Sequence, residues 1–526
     1  MHEFTLIRRE RGQDRAAKRW ALARKLVLGV SLALACQSAW AQAMYRLTPV
    51  GNLPGGCASS VSGLNKADKV TGQGCNANGD SHAFLWNNDG TPTVDLGPPE
   101  VGSESRAYDL NASGLVTGGA TDSTGSFAFV SSGNGTPMTR IIDTLGGNSS
   151  SALAINALGQ VTGDAYLAGN VMYHAFVWKN NGSPMLDLGT LGGDSSDGAA
   201  INASGEVAGG SDISGNAAHH AFVWKNNGSP MLDLGTLGGS TSNALFINAS
   251  GQVAGVSVVG GPTGGQHGFL WRNDGRPIQD LGTLGGPFVS VYGLNDKGQV
   301  AGSSYTHNPG AINAHAFVWL NDGTPMKDLG ALGGFRSSAH DINSSGQVTG
   351  FADLAGDKTF HAFLWRNDGT KIQDLNTLID PTDPLKPYVT LTVGDYINDL
   401  GDIVADGFDS RTRLAGPYLL HGTVLTLSPR LLAFGNQPIH TTSAAKSVTV
   451  TNTSSKPAAI TSIKLAGSNA NQFTTTNNCG GSLAGKATCT INVKFSPTTK
   501  GAKSANLSVN GGGGGLRTVT LTGTGT

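Results

Sequence analysis

Charged residues are scarce in this chain of 526 residues, because Asp, Glu, Lys and Arg together make up only 13% of it. That is about half of the usual share, and it excludes a coiled coil or a long-helix protein. The hydrophobic share of 38% and the net charge of −1 exclude a disordered chain, since there is enough apolar surface to bury. Without a clustered Lys/Arg face, the sequence predicts no nucleic-acid partner.

Recognisable catalytic motifs are also missing. The chain contains neither Gly-x-Ser-x-Gly nor His-Glu-x-x-His nor a phosphate-binding loop, which are the short patterns typical of several enzyme classes. Cys-x₂-Cys spacing is absent as well, so the cysteines predict no metal site. We therefore expect no enzymatic activity, no cofactor and no metal, and the sequence does not identify a ligand or an oligomeric state.

The amino terminus predicts export. A basic stretch precedes the apolar run Leu26–Cys36, and Ala39-Trp40-Ala41 follows as a small-x-small cleavage site, so residues 1–41 are predicted to be a secretory signal peptide. The run is shorter than the roughly 20 residues of a membrane span, and the mature chain has no other transmembrane candidate. Cleavage after Ala43 and lipidation at Cys36 are the alternatives.

Removal of this segment, which holds eight basic and three acidic residues, takes the formal charge from −1 to −6. We expect the mature protein in the extracellular space or at the cell surface, with the periplasm as the alternative. Its four cysteines lie in two local pairs, each symmetric about a turn, and residues equidistant from a hairpin turn face each other. The sequence therefore predicts two disulfides, Cys57–Cys75 and Cys479–Cys489.

Glycine is abundant, with 77 residues. Many of these glycines stand at fixed positions of an internal repeat of about 46 residues. The motif Asn-x-x-Gly-x-Val-x-Gly recurs at Asn65 (where Asp68 replaces the first Gly), Asn111, Asn156, Asn202, Asn248, Asn295 and Asn343, with a weaker copy at Asn398. Five units continue with His-Ala-Phe-(Val/Leu)-Trp, from His82, His174, His220, His315 and His361; His267 starts a variant with Gly268, and Phe127–Val130 is a degenerate copy. The units close with Asp-Leu-Gly-Thr-Leu-Gly-Gly or a variant. Separated by Asn/Asp-Gly turns, these segments predict four short antiparallel strands per unit.

Four strands at this period predict an all-β fold, a β-propeller of eight blades over residues 42–426, with seven blades as the alternative. A β-solenoid is the rival architecture. Tyr45-Arg46-Leu47 resembles the closing strand of a unit that lacks its beginning, and Tyr388–Leu420 supplies the early strands of a unit. Together they are expected to complete one blade and close the ring.

The same motifs resemble the HAF-repeat family of extracellular bacterial proteins, and the resemblance covers nearly all of residues 45–420. It implies secretion and a repeat fold, and it leaves the biochemical role open.

Composition changes near Leu427, where the repeat ends. Residues 427–526 contain short candidate strands every 8–12 positions, which predicts an immunoglobulin-like β-sandwich. Phe434-Gly435-Asn436-Gln437, Phe495-Ser496-Pro497 and the terminal Leu521–Gly525 resemble the Hydin-like, "choice-of-anchor D" immunoglobulin-like domains of bacterial surface proteins. Members often precede a surface anchor, and neither an apolar tail nor a sorting motif follows here.

The motif histidines invite a metal or catalytic interpretation, but each stands once per unit, which is typical of a scaffold. An Asp follows each of them by 13 residues, equidistant from the Asn/Asp-Gly turn, so a cross-strand hydrogen bond is expected unless a bulge shifts the register. The expected structural pairs are His82–Asp95, His174–Asp187, His220–Asp233, His267–Asp280, His315–Asp328 and His361–Asp374.

Function in a repeat protein is expected where the units differ. Charged residues diverge in the second unit, at Glu100, Glu104, Arg106 and Asp109, and in the last unit, at Asp395, Asp399, Asp402, Asp406, Asp409, Arg411 and Arg413. We expect a secreted, non-catalytic binding or adhesion scaffold that recognises a protein or a glycan. The alternatives are a carbohydrate-active enzyme that uses carboxylates of the last unit and a purely structural surface component.

Overall fold

The computed structural model divides the chain into two compact units, Tyr45–Gly422 and a second unit that holds Thr423–Gly512 and Leu516–Thr526. The predicted signal peptide, residues 1–41, lies outside the described residues, and so does Cys36. The structure describes residues 45–526 except 58–59, 99–101, 124, 135–137, 142–143, 262–263, 307–312, 423–424, 430, 453–456, 461 and 512–514.

The first unit is a β-propeller of eight blades, each a four-stranded antiparallel sheet. The prediction of eight blades is confirmed, and the seven-blade and solenoid alternatives are wrong. Three strands of blade 8 come from the end of the unit, and its fourth, β1, is Tyr45–Pro49. Single parallel bridges also join blade 4 to blade 5 and blade 5 to blade 6.

The strands of blades 1 to 4, β2–β17 in chain order, are Ser60–Leu64, Val70–Cys75, Ser81–Trp86 and Val94–Asp95; Glu104–Leu110, Val116–Asp122, Gly125–Ser131 and Thr139–Arg140; Gly146–Ile155, Val161–Leu167, Tyr173–Trp178 and Leu186–Asp187; and Gly192–Ile201, Val207–Ile213, His219–Trp224 and Leu232–Asp233. Those of blades 5 to 8, β18–β32, are Gly238–Ile247, Val253–Val259, Gln266–Trp271 and Gln279–Asp280; Gly285–Leu294, Val300–Thr306, Ala314–Trp319 and Lys327–Gly330; Gly333–Ile342, Val348–Leu354, Phe360–Trp365 and Gln373–Asp374; and Val389–Ile397, Ile403–Asp409 and Leu414–Gly422.

The turns of each unit follow from its Asn-x-x-Gly motif. In blade 4, Asn202 Oδ1 accepts hydrogen bonds from the backbone N–H groups of Ser204 and Glu206, both at 3.0 Å. Gly205 has a φ of 77°, in the left-handed region that favours glycine. The chain therefore reverses within four residues, and the turn joins the first strand of the blade to the second.

The first strands of all eight blades form the inner wall of the ring, because each packs against the first strands of both neighbouring blades. Strand β1 closes the ring. It pairs with Leu414–Gly422 along its whole length, from Tyr45 opposite Gly422 to Pro49 opposite Tyr418. The predicted closure of the ring by the amino-terminal strand is therefore confirmed.

A hydrophobic core fills each junction between blades. At the junction of blades 3 and 4, Val177 and Leu188 of blade 3 pack with Phe222 and Trp224 of blade 4. The repeated Trp side chains are all buried, between 1% and 8% exposed. Replacing such a residue by Ala typically costs about 3–5 kcal/mol, so the repeated aromatics stabilise the ring.

The second unit is an immunoglobulin-like sandwich. Its two four-stranded sheets have the orders β33-β35-β40-β38 and β34-β42-β41-β37, and β36 pairs with β39. Strands β33–β42 are Leu425–Ser428, Leu431–Gln437, Lys446–Asn452, Ala458–Ala459, Ser462–Ala466, Phe473–Asn477, Ser482–Leu483, Thr488–Phe495, Gly501–Gly511 and Gly515–Gly525. The predicted domain boundary at residue 427 falls inside β33, because Leu425 and Leu427 both enter the sandwich core.

Both local cysteine pairs form disulfides, Cys57–Cys75 and Cys479–Cys489. In the second, Cys489 lies in β40, and Cys479 follows two residues after the end of the neighbouring strand β38, whose register places Asn477 opposite Ile491. The described helices are three short 3₁₀ turns, Ser214–Asn216, Leu375–Leu378 and Ala470–Gln472. None of the helices in the described ranges is long and apolar enough to span a membrane.

Candidate functional site

A β-bulge interrupts the first strand of every blade at the same place. In blade 4 the register with the second strand shifts between Gly198 and Ala200, so Ala199 is the extra residue. We call the eight equivalent residues the bulge ring: Ser62, Tyr108, Leu153, Ala199, Leu245, Tyr292, His340 and Asp395. These residues lie on the inner wall of the propeller, and none of them is fully buried.

The bulge ring combines a constant backbone with variable side chains. A bulge leaves its extra residue outside the ladder and turns its side chain away from the regular alternation, which is why bulges are common beside functional sites. Here the eight positions hold Ser, Tyr, Leu, Ala, Leu, Tyr, His and Asp. The scaffold repeats while the chemistry does not, so the ring is the candidate functional site.

Aromatic side chains dominate the ring at blades 6 and 7. Tyr292 and His340, both in the bulge ring, have ring centroids 6.0 Å apart. His340 contacts Phe351 at 5.6 Å, and Phe351 contacts Phe360 at 5.5 Å. Tyr292 is 44% exposed and Phe360 is 40% exposed. We call Tyr292, His340, Phe351 and Phe360 the aromatic row, and it offers solvent an apolar surface.

Three carboxylates and a histidine interact with one another in blades 3 and 4. His219 Nδ1 lies 3.0 Å from Asp212 Oδ1, and its Nε2 lies 3.9 Å from Asp197 Oδ1. Burial, with the negative charge of Asp197 as the second cause, raises the pKa of Asp164 to about 6. Burial also raises the pKa of Asp197, although the His219 charge opposes it. This acidic group attracts cations and hydrogen-bond donors.

Two further carboxylates meet in blade 8. Asp395, the bulge residue, accepts a hydrogen bond from the backbone N–H of Asp406 at 3.1 Å. Burial and then the charge of Asp406 raise the pKa of Asp395 to about 8, and burial raises the pKa of Asp406. The pair therefore holds a protonated carboxylic acid at neutral pH beside a second carboxyl group.

A cavity lies against the first strand of blade 2. Glu104, Arg106 and Tyr108 line a cavity of about 260 Å³ together with Gln73 of blade 1 and Ser151 of blade 3. The Arg106 guanidinium lies 5.8 Å from the centroid of the Tyr108 ring. Two of the divergent residues of the second unit thus line one cavity, while Glu100 lies outside the described residues.

Five of the remaining divergent charges, Asp109, Asp399, Asp409, Arg411 and Arg413, do not converge on one site. Asp109 accepts hydrogen bonds from the backbone N–H of Ile155, in the next blade, and from that of Leu110. Asp399 pairs with Lys66 at 2.7 Å, and Asp409 forms an ion pair with Arg411. Arg413 has a φ of 58°, in a turn. The divergent carboxylates of the last unit therefore form several separate contacts, of which only Asp395 and Asp406 face each other.

The structure brings together all six His–Asp pairs proposed from the sequence. In each pair an Asp oxygen lies 2.8–2.9 Å from His Nδ1, for His82–Asp95, His174–Asp187, His220–Asp233, His267–Asp280, His315–Asp328 and His361–Asp374. They link the third strand of a blade to its fourth. They lie away from the bulge ring and occupy repeated positions.

The two members of a pair are diagonal neighbours rather than direct cross-strand partners. Asp187 stands opposite Phe176, two residues beyond His174, so the expected direct pairing is wrong. The direct pairing assumed a turn that is symmetric about its Asn-Gly. In the structure, the turn between the third and fourth strands has two more residues on the side of the fourth strand. The Asp carboxylate also accepts the N–H of Gly189 at 2.7 Å, which fixes it towards the imidazole.

Among the described residues, one group of side chains has the composition and spacing of a metal site. Asp68, Asp402 and His421 each place one ligand atom within 4.8 Å of the others. They lie where blade 8 meets blade 1. Asp402 was among the divergent residues of the last unit, but its meeting with Asp68 could not be predicted because Asp68 is more than 300 residues from the other two.

The bulge ring was not predicted from the sequence, although the sequence contains a signal for it. Each bulge residue stands three positions before the Asn of its unit, as Ala199 stands before Asn202 and Asp395 before Asn398. That position varies while its surroundings repeat. Variation alone does not reveal that a side chain leaves the regular ladder, because the pairing of both strands decides this.

Three solved structures that this chain is similar to share 8–12% of its residues. The β-propeller domain of the trilobed protease from Pyrococcus furiosus is 8% identical, with 72% of this chain and 94% of that chain covered and a TM-score of 0.37. A prolyl endopeptidase structure is also 8% identical, with 75% and 57% covered and a TM-score of 0.46. A PapD-like domain of human CEP192 is 12% identical, with 20% and 86% covered and a TM-score of 0.16.

The comparison with curated proteins gives no match. A family model does match the second unit, at residues 423–517, and its description is "Abnormal spindle-like microcephaly-assoc'd, ASPM-SPD-2-Hydin". The Hydin-like, immunoglobulin-like carboxy-terminal domain predicted from the sequence is thereby supported.

Proposed function

We propose that this chain is a non-catalytic protein-interaction scaffold whose propeller binds a segment of a partner protein at the bulge ring. The observation that carries the proposal is the ring itself, in which eight equivalent positions on a repeated scaffold hold six different residue types. A purely structural ring has no need for Tyr292 and His340 at positions that hold Ala or Leu in blades 3 to 5.

The chemistry of the ring favours a protein segment with basic and apolar side chains. The aromatic row leaves Tyr292 and Phe360 two-fifths exposed, and exposed aromatics of this kind provide large rigid contact areas. The acidic group of Asp197 and Asp212 lies on blade 4, where Asp197 belongs to the first strand and so to the inner wall. A partner that crosses the wall would bury apolar side chains on one side and place cations on the other.

A photo-crosslinking experiment in the native host tests this function. We would replace Tyr292 by p-benzoylphenylalanine, and as a matched control Tyr388, which is 42% exposed in blade 8 and outside the aromatic row. We expect one protein adduct from position 292 that the Phe360→Ala substitution weakens. Adducts of equal yield from both positions, or none from 292 together with retention of the chain in a polysaccharide affinity gel, would contradict a protein ligand.

We also propose that the chain is exported and that residues 45–420 are HAF repeats. The basic and apolar amino terminus supports export, and two disulfides are compatible with an oxidising compartment. Amino-terminal sequencing of protein from the periplasm and the medium tests this. We expect a start at Gln42, or at Met44 for the alternative cleavage, whereas an intact Met1 in the cytoplasmic fraction would refute export.

The second candidate is a carbohydrate-active enzyme, and Asp395 is the observation that favours it. A carboxylic acid whose pKa is about 8 beside Asp406 has the protonation state of a general acid in glycoside hydrolysis. Polysaccharide turnover that Asp395→Asn abolishes and Asp409→Asn preserves would establish this function. Absence of turnover across plant, algal and bacterial polysaccharides would leave the interaction scaffold as the function.

A further inference from the structure

Three side chains that can bind a metal ion meet where the ring closes. Asp68 belongs to the first turn of blade 1, and Asp402 and His421 belong to blade 8. His421 Nδ1 lies 3.7 Å from Asp68 Oδ2 and 3.6 Å from Asp402 Oδ1. Ligand atoms about 2.1 Å from a tetrahedral ion are about 3.4 Å apart, so the observed separations come close to those of a coordination shell.

The group is buried, and one of its oxygens is unsatisfied. The side chain of Asp402 is 0% exposed, and its Oδ1 accepts the backbone N–H of Gly422 at 3.0 Å. Its Oδ2 is buried without a hydrogen-bond partner in the described part of the chain. A buried carboxylate oxygen without a partner is unfavourable, and a cation between the two carboxylates would remove that penalty.

The junction between blades 8 and 1 differs from the other blade junctions at the three positions of this group. Between blades 4 and 5, Glu206, Lys225 and Gly251 occupy the positions of Asp402, His421 and Asp68. Lys225 there donates a hydrogen bond to Asn273 of the next blade, and His421 Nε2 correspondingly lies 3.2 Å from Asn88. That contact orients the imidazole so that Nδ1 faces the carboxylates.

Asp68 occupies a backbone position that favours glycine. Its φ is 60°, whereas the other seven copies of the turn have Gly there, with φ between 71° and 91°. Left-handed backbone is unfavourable for residues other than glycine, and such strain persists where the side chain has a role. Asp68 Oδ1 also accepts the side-chain amide of Asn398 at 3.0 Å, which holds the carboxylate towards blade 8.

We propose that Asp68, Asp402 and His421 bind one divalent transition-metal cation that fastens the last blade to the first. Two carboxylates and one neutral imidazole balance a charge of +2, and this donor set suits Zn(II) or Mn(II) better than Ca(II). Because the ligands come from opposite ends of the propeller sequence, the ion would stabilise the closed ring over any opened form. The proposal is independent of the bulge ring and its ligand.

Metal titration of the full mature chain tests the site. We would strip the protein with EDTA, remove the chelator, and titrate with Zn(II) and separately with Mn(II), measuring bound metal by mass spectrometry and heat by calorimetry. The diagnostic variant is Asp68→Gly, which restores the residue found in the other seven turns and is therefore expected to fold. Asp402→Asn is the second variant, and Glu206→Gln, at the equivalent position of another junction, is the control.

We expect the wild type and Glu206→Gln to bind one high-affinity equivalent that raises Tm by several degrees. Asp68→Gly and Asp402→Asn should bind at least tenfold more weakly and show no rise. Asp68→Gly should remain as stable as the metal-free wild type. If the wild type binds no saturable equivalent, or if Asp68→Gly binds the same equivalent with the same affinity, the site does not exist and any bound metal lies elsewhere, for example at the His–Asp pairs.

Discussion

Asn398 donates a hydrogen bond from its side-chain amide to the backbone carbonyl oxygen of Asn65, 333 residues earlier in the chain, over 3.3 Å. The same bond joins each repeated Asn to the Asn of the next blade, at 2.9–3.1 Å, for Asn65, Asn111, Asn156, Asn202, Asn248, Asn295 and Asn343. Eight side chains thus form a closed circle of hydrogen bonds around the propeller. The repeated Asn holds its own turn and also joins neighbouring blades.

The closed circle of hydrogen bonds between the repeated Asn residues leads to the first prediction. Asn202→Ala removes the acceptor of two partly buried turn N–H groups and the donor of a buried hydrogen bond to the Asn248 carbonyl. We expect a loss of about 2–3 kcal/mol in the free energy of unfolding, because buried polar groups lose their partners. Urea denaturation measures it. Asn227→Ala, in an exposed turn, is the control with a loss below about 0.5 kcal/mol, and equal losses would contradict the role of the circle.

The sequence predicted those features that each unit repeats. The Asn-x-x-Gly spacing indicated blades, and the isolated strand at Tyr45 indicated the closure, because turns and strand patterns depend on neighbouring residues. The sequence did not predict the contacts that depend on how the blades stack. The bond from Asn398 to Asn65 and the meeting of Asp68 with His421 require the curvature of the whole ring, and the diagonal placement of His174 and Asp187 requires the length of one turn.

The His–Asp pairs make stability depend on pH. The hydrogen bond to Asp328, its largest cause, raises the pKa of His315 from 6.5. Burial raises the pKa of Asp328, but the bonds from His315 and Gly330 outweigh it and the net shift is downward from 3.8. A raised His pKa stabilises the folded state. This contribution is fully present below pH 6.5 and is lost as the pH rises through the pKa of the folded state. A lowered Asp pKa stabilises above pH 3.8.

We therefore expect His315→Gln to be more destabilising at pH 5.5 than at pH 8.5, by less than about 1 kcal/mol because Asp328 is nearly half exposed. Denaturant midpoints at both pH values measure the difference. His340→Gln provides the contrast. Burial lowers the pKa of His340, so the folded state favours its neutral form and loses stability below pH 6.5. Its replacement should remove that loss, and the same pH trend in both variants would refute the assignment.

The next prediction concerns strand β1, which closes the ring. Leu47 is 8% exposed in the core of blade 8, and its backbone N–H donates to Asp383 Oδ2 at 2.9 Å. We expect Leu47→Ala to cost about 2–4 kcal/mol, as for other buried leucines, measured by urea denaturation. Leu158→Ala, at a position that is 71% exposed, is the matched control and should change stability by less than about 0.5 kcal/mol. Similar effects of both changes would show that β1 does not hold the ring closed.

The carboxyl group of Asp395 makes the last prediction. Burial and the neighbouring Asp406 raise its pKa from 3.8 to about 8, so the folded state prefers the protonated form. An acid with a raised pKa contributes its stability below pH 3.8, and that contribution is lost as the pH rises through about 8. Asn mimics the protonated acid and does not ionise. Asp395→Asn should therefore match the wild type near pH 4 and exceed it by a few kcal/mol at pH 8.5.

Unfolding midpoints from pH 4 to 9 measure this difference for Asp395→Asn, with Asp409→Asn as the control. Asp409 has its pKa lowered to about 2, chiefly by the hydrogen bond from Arg411, so its replacement should not stabilise the protein at any pH. A parallel course of the wild-type and Asp395→Asn midpoints across the whole range would mean that Asp395 is ionised in the folded state. The bulge ring would then carry a charged carboxylate at blade 8, and the general-acid candidate would lose its supporting observation.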